Sequence, residues 1–103
     1  MLQLFQTEWC PASRRVRQRM TELGIDYVIR QVPADREQRE ALRTAAGVDS
    51  VPTLLADDGS VAAGEEAIAS YLAGRFEEPI EAEAHRLRAA KARSRFLEEE
   101  CRC

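Results

Sequence analysis

The sequence predicts a layered α/β domain: a mixed four-stranded sheet with helices on its faces, ordered β-α-β-α-β-β-α and followed by one further C-terminal helix. Three observations predict it. Short apolar runs of strand length alternate with stretches of helical periodicity. Gly, Pro and Asp punctuate the boundaries between them. Beyond Pro79 the composition shifts to an Ala-, Glu- and Arg-rich stretch with no Gly or Pro over residues 80–100.

Leu2 to Gln6 alternates apolar and polar residues, as a short strand does. Pro11 suits a helix's first turn, where its missing N–H has no partner to lose. Val16, Met20 and Leu23 recur at helical spacing, and Gly24 supplies the stop. Ile25 to Val32 reads as a second strand, with Ile25, Tyr27 and Ile29 on one face, and Pro33 ends it. Asp35 is placed to cap a helix running to about Ala46 and stopping at Gly47. Val51 to Ala56, the turn Asp57-Asp58-Gly59 and Ser60 to Ala62 read as a hairpin. Gly64 and the acidic pair Glu65-Glu66 open a third helix, with Ala67, Ile68, Tyr71 and Leu72 on its buried face.

The expected division is a domain at 1–78 and a helical extension at 79–103. Ile80, Ala84 and Leu87 form a weak apolar stripe on that extension, with Phe96 and Leu97 beyond it. Its charges fall in acidic, basic and acidic blocks, which suit either a solvated surface helix or one that binds a second copy or a partner.

With 103 residues, 45% apolar and 32% charged, the composition is that of one soluble globular domain. A net charge of -3 indicates no nucleic-acid or acidic-lipid partner. No apolar run approaches the roughly 18 residues of a membrane span. The first residues carry no secretory signal, so a cytoplasmic location is expected. Cysteines stand at 10, 101 and 103, an odd count that makes a poor disulfide framework. Cys10 therefore reads as a free thiol rather than half of a staple.

Chemistry concentrates in Trp9-Cys10-Pro11-Ala12-Ser13, between the first strand and first helix. The thiolate is the reactive form, and an ordinary cysteine, with pKa near ~8.5, is mostly protonated at neutral pH. Free N–H groups and the positive end of the helix dipole at a helix start favour an anion. The Ser13 hydroxyl stands three residues on, and Arg14, Arg15 and Arg17 add positive potential. A small buried cysteine is the competing reading of this string taken alone. The second motif is Ser50-Val51-Pro52-Thr53-Leu54-Leu55. Proline before a short apolar strand cannot join the ladder. A cis Val51–Pro52 bond would offer the Val51 backbone to a ligand, and an ordinary trans edge proline is the alternative.

Together with Gly64-Glu65-Glu66-Ala67-Ile68-Ala69-Ser70-Tyr71-Leu72, these motifs resemble the glutaredoxin family, and equally the N-terminal domain of glutathione S-transferases. The resemblance covers roughly residues 1–76. It implies a thioredoxin-like fold, a cis Pro52, a glutathione groove and glutathione as co-substrate, with no metal. Cys10 matches the family's nucleophile, and Ser13 replaces the second cysteine of dithiol members, as in monothiol glutaredoxins. Val51 matches the residue whose backbone pairs with the cysteinyl part of glutathione. Glu65 and Glu66 match the acidic pair, or the transferase Glu-Ser pair, where backbone N–H groups take the γ-glutamyl carboxylate and a Glu its ammonium. Arg39 falls where some glutaredoxins place a cation for the glycyl carboxylate. The chain departs from the family at Thr7, where Lys or Arg is usual, at Ala12 in place of Tyr, and at Ala62-Ala63 in place of Gly-Gly.

The expected activity is thiol–disulfide exchange on glutathionylated proteins by a monothiol mechanism, with Cys10, Pro11 and Ser13 catalytic. Arg39, Val51, Pro52, Glu65 and Glu66 are expected to bind glutathione. The alternatives are a non-catalytic glutathione-binding module and an iron–sulfur-cluster module. The Cys-Gly-Phe-Ser form typical of cluster-binding monothiol glutaredoxins is absent. A monomer, or a weak homodimer through the C-terminal helix, is expected. Nothing in the sequence brings Cys101 or Cys103 back to Cys10, so both read as solvated tail thiols.

Overall fold

A computed structural model describes residues 1–95 of the chain. The elements are β1 (Leu2–Gln6), α1 (Pro11–Glu22), β2 (Tyr27–Gln31), α2 (Glu40–Ala46), β3 (Thr53–Leu55), β4 (Val61–Ala63), α3 (Glu65–Arg75) and α4 (Ala82–Arg95). The sheet order is β2-β1-β3-β4. β1 runs parallel to β2, with Gln6 opposite Gln31, and antiparallel to β3, with Phe5 opposite Thr53. β3 pairs antiparallel with β4, Thr53 opposite Ala63. This is the expected thioredoxin-like arrangement with α4 added.

Alternation along β1 divides the core between the two sheet faces. Leu4 packs with Val16 and Met20 of α1, Leu54, and Ile68 and Leu72 of α3. Phe5 packs on the other side with Val32 and Leu42 of α2. Replacing a fully buried leucine of this kind with alanine typically costs about 2–5 kcal/mol.

Register also positions the site. The C-terminal end of β1, the start of β3 and the end of β4 lie at one end of the sheet. Whatever follows β1, precedes β3 or follows β4 therefore meets there.

Four local expectations need correction. The second strand is shorter than residues 25–32, and Ile29 is exposed because β2 is an edge strand with little packed over it. The single helix expected from Asp35 is a 3₁₀ turn at Arg36–Gln38, capped by Asp35, followed by α2. The break falls at Arg39, whose ψ of 49° is not helical. Its guanidinium reaches three backbone carbonyls, a pull no helical position supplies. On α3, Ile68 and Leu72 are buried and Tyr71 is half-buried, but Ala67 faces solvent.

The apolar stripe on the extension is the fourth. Ile80 is 96% exposed and precedes the helix, and Ala84 and Leu87 are exposed too. The face α4 turns inward carries Ala82, His85, Arg86 and Ala89, which recur at helical spacing. It docks on α1 largely through polar contacts: Arg86 Nε donates to Glu22 Oε1 at 3.4 Å, and Arg93 donates to Gln18. Phe96 and Leu97 lie outside the described residues. Among the described residues no helix is long and apolar enough to cross a membrane.

Glu22 anchors this docking. It is buried, and it accepts from Gln18 at 3.0 Å and Arg19 at 3.1 Å as well as from Arg86. Burial pushes its carboxyl up, but those donors and the two guanidinium charges outweigh burial and hold it below the usual value. A carboxyl depressed by folding adds stability above its unfolded range, and that stability is lost as pH falls through the folded value. Glu22→Ala is expected to cost about 1–3 kcal/mol at neutral pH. The loss should shrink at acid pH well below the ordinary glutamate range, where the wild-type carboxylate also protonates. Denaturant unfolding at both pH values measures it. A loss independent of pH would show that Glu22 contributes through packing alone.

Candidate active site

Cys10 is the N-cap of α1, with extended dihedrals of φ -71° and ψ 120°. Pro11 occupies the first helical turn, where its fixed φ suits the helix and no N–H is wasted. The Ser13 N–H donates to Cys10 Sγ at 3.4 Å, so the sulfur takes the place of the usual capping oxygen. The thiol is part-exposed, and the preceding Trp9 presents an aromatic surface 68% open to solvent.

Burial pushes the Cys10 thiol up. Against it act the Ser13 hydroxyl, the Ser13 and Ala12 N–H groups and the Thr7 hydroxyl, and the balance lies below the ordinary thiol value. Ser13 Oγ is itself fully buried and meets no hydrogen-bond partner of ordinary geometry. A buried hydroxyl without a partner calls for a functional explanation. The acceptor nearest to hand is the Cys10 sulfur three residues back, the group whose titration it lowers.

Thr7, a departure from the family pattern, is thus a contributor that sequence reasoning missed. It is buried in the turn between β1 and Cys10, and its carbonyl accepts from the Cys10 N–H at 3.4 Å. The available signal was a hydroxyl residue three positions before a capping cysteine.

Ser13→Ala is expected to raise the midpoint of Cys10 alkylation against pH, with wild type titrating below it. A wild-type midpoint at or above the ordinary value of about 8.5 contradicts the account.

The second wall is the turn into β3. The Val51–Pro52 peptide bond is cis. Thr53 Oγ1 donates to Ser50 O at 2.8 Å across the turn, and the Gly64 N–H donates to Pro52 O at 2.9 Å. That bond ties the proline turn to the start of α3, the third wall. Gly64 caps α3 at φ 94°, a conformation that a side chain would strain even though space is open around it.

Glu65 and Glu66 stand in the first turn of α3, where acidic side chains favour the helix dipole. Glu65 is committed: Arg15 Nε donates to Oε2 at 2.7 Å and Arg15 Nη2 to Oε1 at 2.9 Å. This bidentate pair, which the sequence did not reveal, holds the Glu65 carboxyl below the usual range and joins α1 to α3 across the mouth of the site. Arg15 also feels the Cys10 charge. Glu66 is exposed. A cavity of about 160 Å³ opens between the helices, lined by Arg15 and Glu65 and by Val16, Ile68 and Leu72.

Cys10, Pro11, Ser13, Val51, Pro52, Glu65 and Glu66 thus gather at one end of the sheet. Arg39 lies near the same end, but its guanidinium turns into the chain. It is 9% exposed and donates to Pro33 O at 2.8 Å, Asp49 O at 2.9 Å and Ala34 O at 3.2 Å. It fastens the segment that delivers Val51. Among the described residues no group of three or more His, Cys, Asp or Glu could hold a metal ion.

A glutaredoxin family model matches residues 2–61. No curated protein matches the chain. Among solved structures, glutathione S-transferase unclassified 2 from Bombyx mori is 30% identical with a TM-score of 0.62, over 73% of this chain and 35% of that one. A glutathione S-transferase domain-containing protein from Marinobacter aquaeolei VT8 is 30% identical with a TM-score of 0.63, over 75% of this chain and 40% of that one. The chain therefore spans well under half of either transferase. A buckwheat glutaredoxin solved with glutathione shares the fold, at 20% identity and a TM-score of 0.56, over 72% of this chain and 70% of that one.

Proposed function

Since this chain belongs to the glutaredoxin family, we propose that it is a thiol–disulfide oxidoreductase acting on glutathione mixed disulfides, with Cys10 as nucleophile. The observation that carries the reading is Cys10 as the part-exposed N-cap of α1, its Sγ accepting from the Ser13 N–H at 3.4 Å beside the buried Ser13 hydroxyl. The similarity to glutathione transferases directs the ligand proposal to glutathione.

In this reading the Cys10 thiolate attacks the glutathione sulfur of a glutathionylated protein. The protein–glutathione S–S bond breaks, the protein leaves as a thiolate, and Cys10 holds the glutathionyl group. A second glutathione attacks that group, releases the Cys10 thiolate and departs as glutathione disulfide.

Ser13 stabilises the thiolate at both steps, and Pro11 fixes the helix start that aims the N–H groups at it. The Val51 backbone, ahead of Pro52, pairs with the cysteinyl part of glutathione. The γ-glutamyl carboxylate meets the first N–H groups of α3. With Glu65 paired to Arg15, its ammonium falls to Glu66. Arg39 serves the site by holding the Val51 segment, and a glycyl carboxylate contact would draw on the N–H groups its three backbone bonds leave over. Residues 1–78 form the redox unit and 79–103 a helical extension, in a monomer or a weak homodimer.

The test is turnover of a small glutathione mixed disulfide by the wild-type chain with glutathione as reductant, run beside a second low-molecular-weight thiol. Turnover with glutathione is expected. No turnover with either thiol contradicts the enzyme reading, and turnover with the second thiol alone contradicts the choice of glutathione.

A further inference from the structure

The sheet edge at β2 is open. Val28 and Ile29 are each 42% exposed, on opposite faces of the strand. The other edge, β4, is three residues long, a length that itself discourages pairing. β2 has five residues and no proline, and its one charged residue is Arg30. The Arg30 guanidinium lies back over the Phe5 ring at 5.4 Å and donates to Gln3 Oε1 at 2.8 Å. That charge is folded across the sheet rather than held out past the edge, where it would blunt pairing.

Backbone phase fixes what the edge offers. A residue's N–H and C=O point to the same side of a strand, and the side alternates from residue to residue. The Val32 N–H donates to Gln6 O at 3.2 Å, so Val32, Arg30 and Val28 turn toward β1. Tyr27, Ile29 and Gln31 therefore present their N–H and C=O groups at the open edge.

We infer that β2 pairs antiparallel with β2 of a second copy of this chain, about a two-fold axis at Val28. The four strands of each copy then join into one continuous sheet. Tyr27 of each copy stands opposite Ile29 of the other. Both have outward backbone groups, so each such pair exchanges both of its hydrogen bonds. Val28 meets its own equivalent as a non-hydrogen-bonded pair, the kind in which side chains approach more closely. Asp26, exposed and one residue before β2, stands opposite the second copy's Arg30, and symmetry makes that charge pair twice. Side-chain rotation alone carries the guanidinium from Phe5 to that carboxylate.

Charge selects this register. An axis at Ile29 sets Val28 against Arg30, and an axis at Tyr27 sets Asp26 against Val28, so either shift loses both ion pairs. The pairing leaves each Cys10 open, because Cys10 follows β1, one strand in from the edge. It does not depend on the redox reading. A ladder about 17 Å long buries less than a standard interface, so the dimer is weak and reversible.

The test is sedimentation equilibrium of the full chain under reductant, in a dilution series that begins at millimolar concentration. A reversible dimer is expected at the high end, and amide hydrogen exchange there is expected to protect Tyr27 and Ile29 until dilution. Asp26→Arg is expected to weaken association about tenfold or more, because two attractive pairs become two repulsive ones. Adding Arg30→Asp to it restores the dimer. Ile29→Pro removes an outward N–H that the single copy's ladder does not use, so the dimer is lost while a melting curve shows a folded chain. If that variant unfolds, the charge exchange alone decides.

A chain that stays monomeric throughout overturns the inference. So does a double variant that fails to restore the dimer. A dimer indifferent to the β2 substitutions and lost on Leu87→Glu overturns it too, and assigns association to α4.

Discussion

Cys10→Ser brings turnover of a glutathione mixed disulfide down to the uncatalysed background while the chain stays folded. Exchange at a disulfide needs a thiolate, and a serine hydroxyl supplies no comparable anion at neutral pH. The fold has little reason to suffer. Cys10 is part-exposed and caps α1, and serine is among the best residues for that position. Thermal unfolding is therefore expected within about 1 kcal/mol of wild type, with any change toward greater stability. The coupled glutathione assay and a melting curve measure the two halves. Equal turnover by both proteins would remove Cys10 as the nucleophile, whatever the melting curves show.

Arg39→Ala is expected to destabilise the chain by about 2–3 kcal/mol, because a part-buried set of carbonyls at Pro33, Ala34 and Asp49 loses its charged donor. The loss also frees the segment that enters the Val51 turn, so KM for the mixed disulfide rises. Arg39→Lys separates the two roles open to this residue. An ammonium keeps the charge but cannot spread donors over three separated carbonyls as the guanidinium does. The account predicts that Lys fails to restore either the denaturant midpoint or KM. Full rescue of KM by Lys, with stability still low, would assign Arg39 to a ligand carboxylate instead.

The helix cap at Cys10 and Pro11 was legible because local chemistry decides it: a proline in the first turn and a hydroxyl three residues after the cysteine mean the same thing in almost any context. The core was legible too, since Leu4, Val16, Met20, Ile68 and Leu72 follow the periods of their elements. Long charged side chains were not. Arg39 reads as a cation for a ligand carboxylate, yet its targets are carbonyls five, six and ten residues away that no helical turn presents to it, and reaching them breaks the helix expected from Asp35. Arg15 and Glu65 lie fifty residues apart, and nothing in either neighbourhood announces the other. The docking of α4 on α1 was not legible for the same reason. Its apolar residues form only a weak stripe in the sequence, and Glu22, Arg86, Gln18 and Arg93 set its rotation with Leu87 outward. Periodicity reports what water rejects, and polar pairings of high sequence separation leave no such trace.

The central claim is that the three walls around Cys10 form one glutathione groove. Backbone amide chemical shifts, compared between the reduced chain and its Cys10–glutathione adduct, test it most directly. The Cys101→Ser/Cys103→Ser variant serves for this measurement, so that Cys10 is the one thiol in the chain that takes up glutathione. The account predicts that shifts concentrate at Val51 and at Glu65 and Glu66, as well as in the first turn of α1. Shifts confined to the residues around Cys10, with Val51 and the start of α3 unmoved, would contradict it.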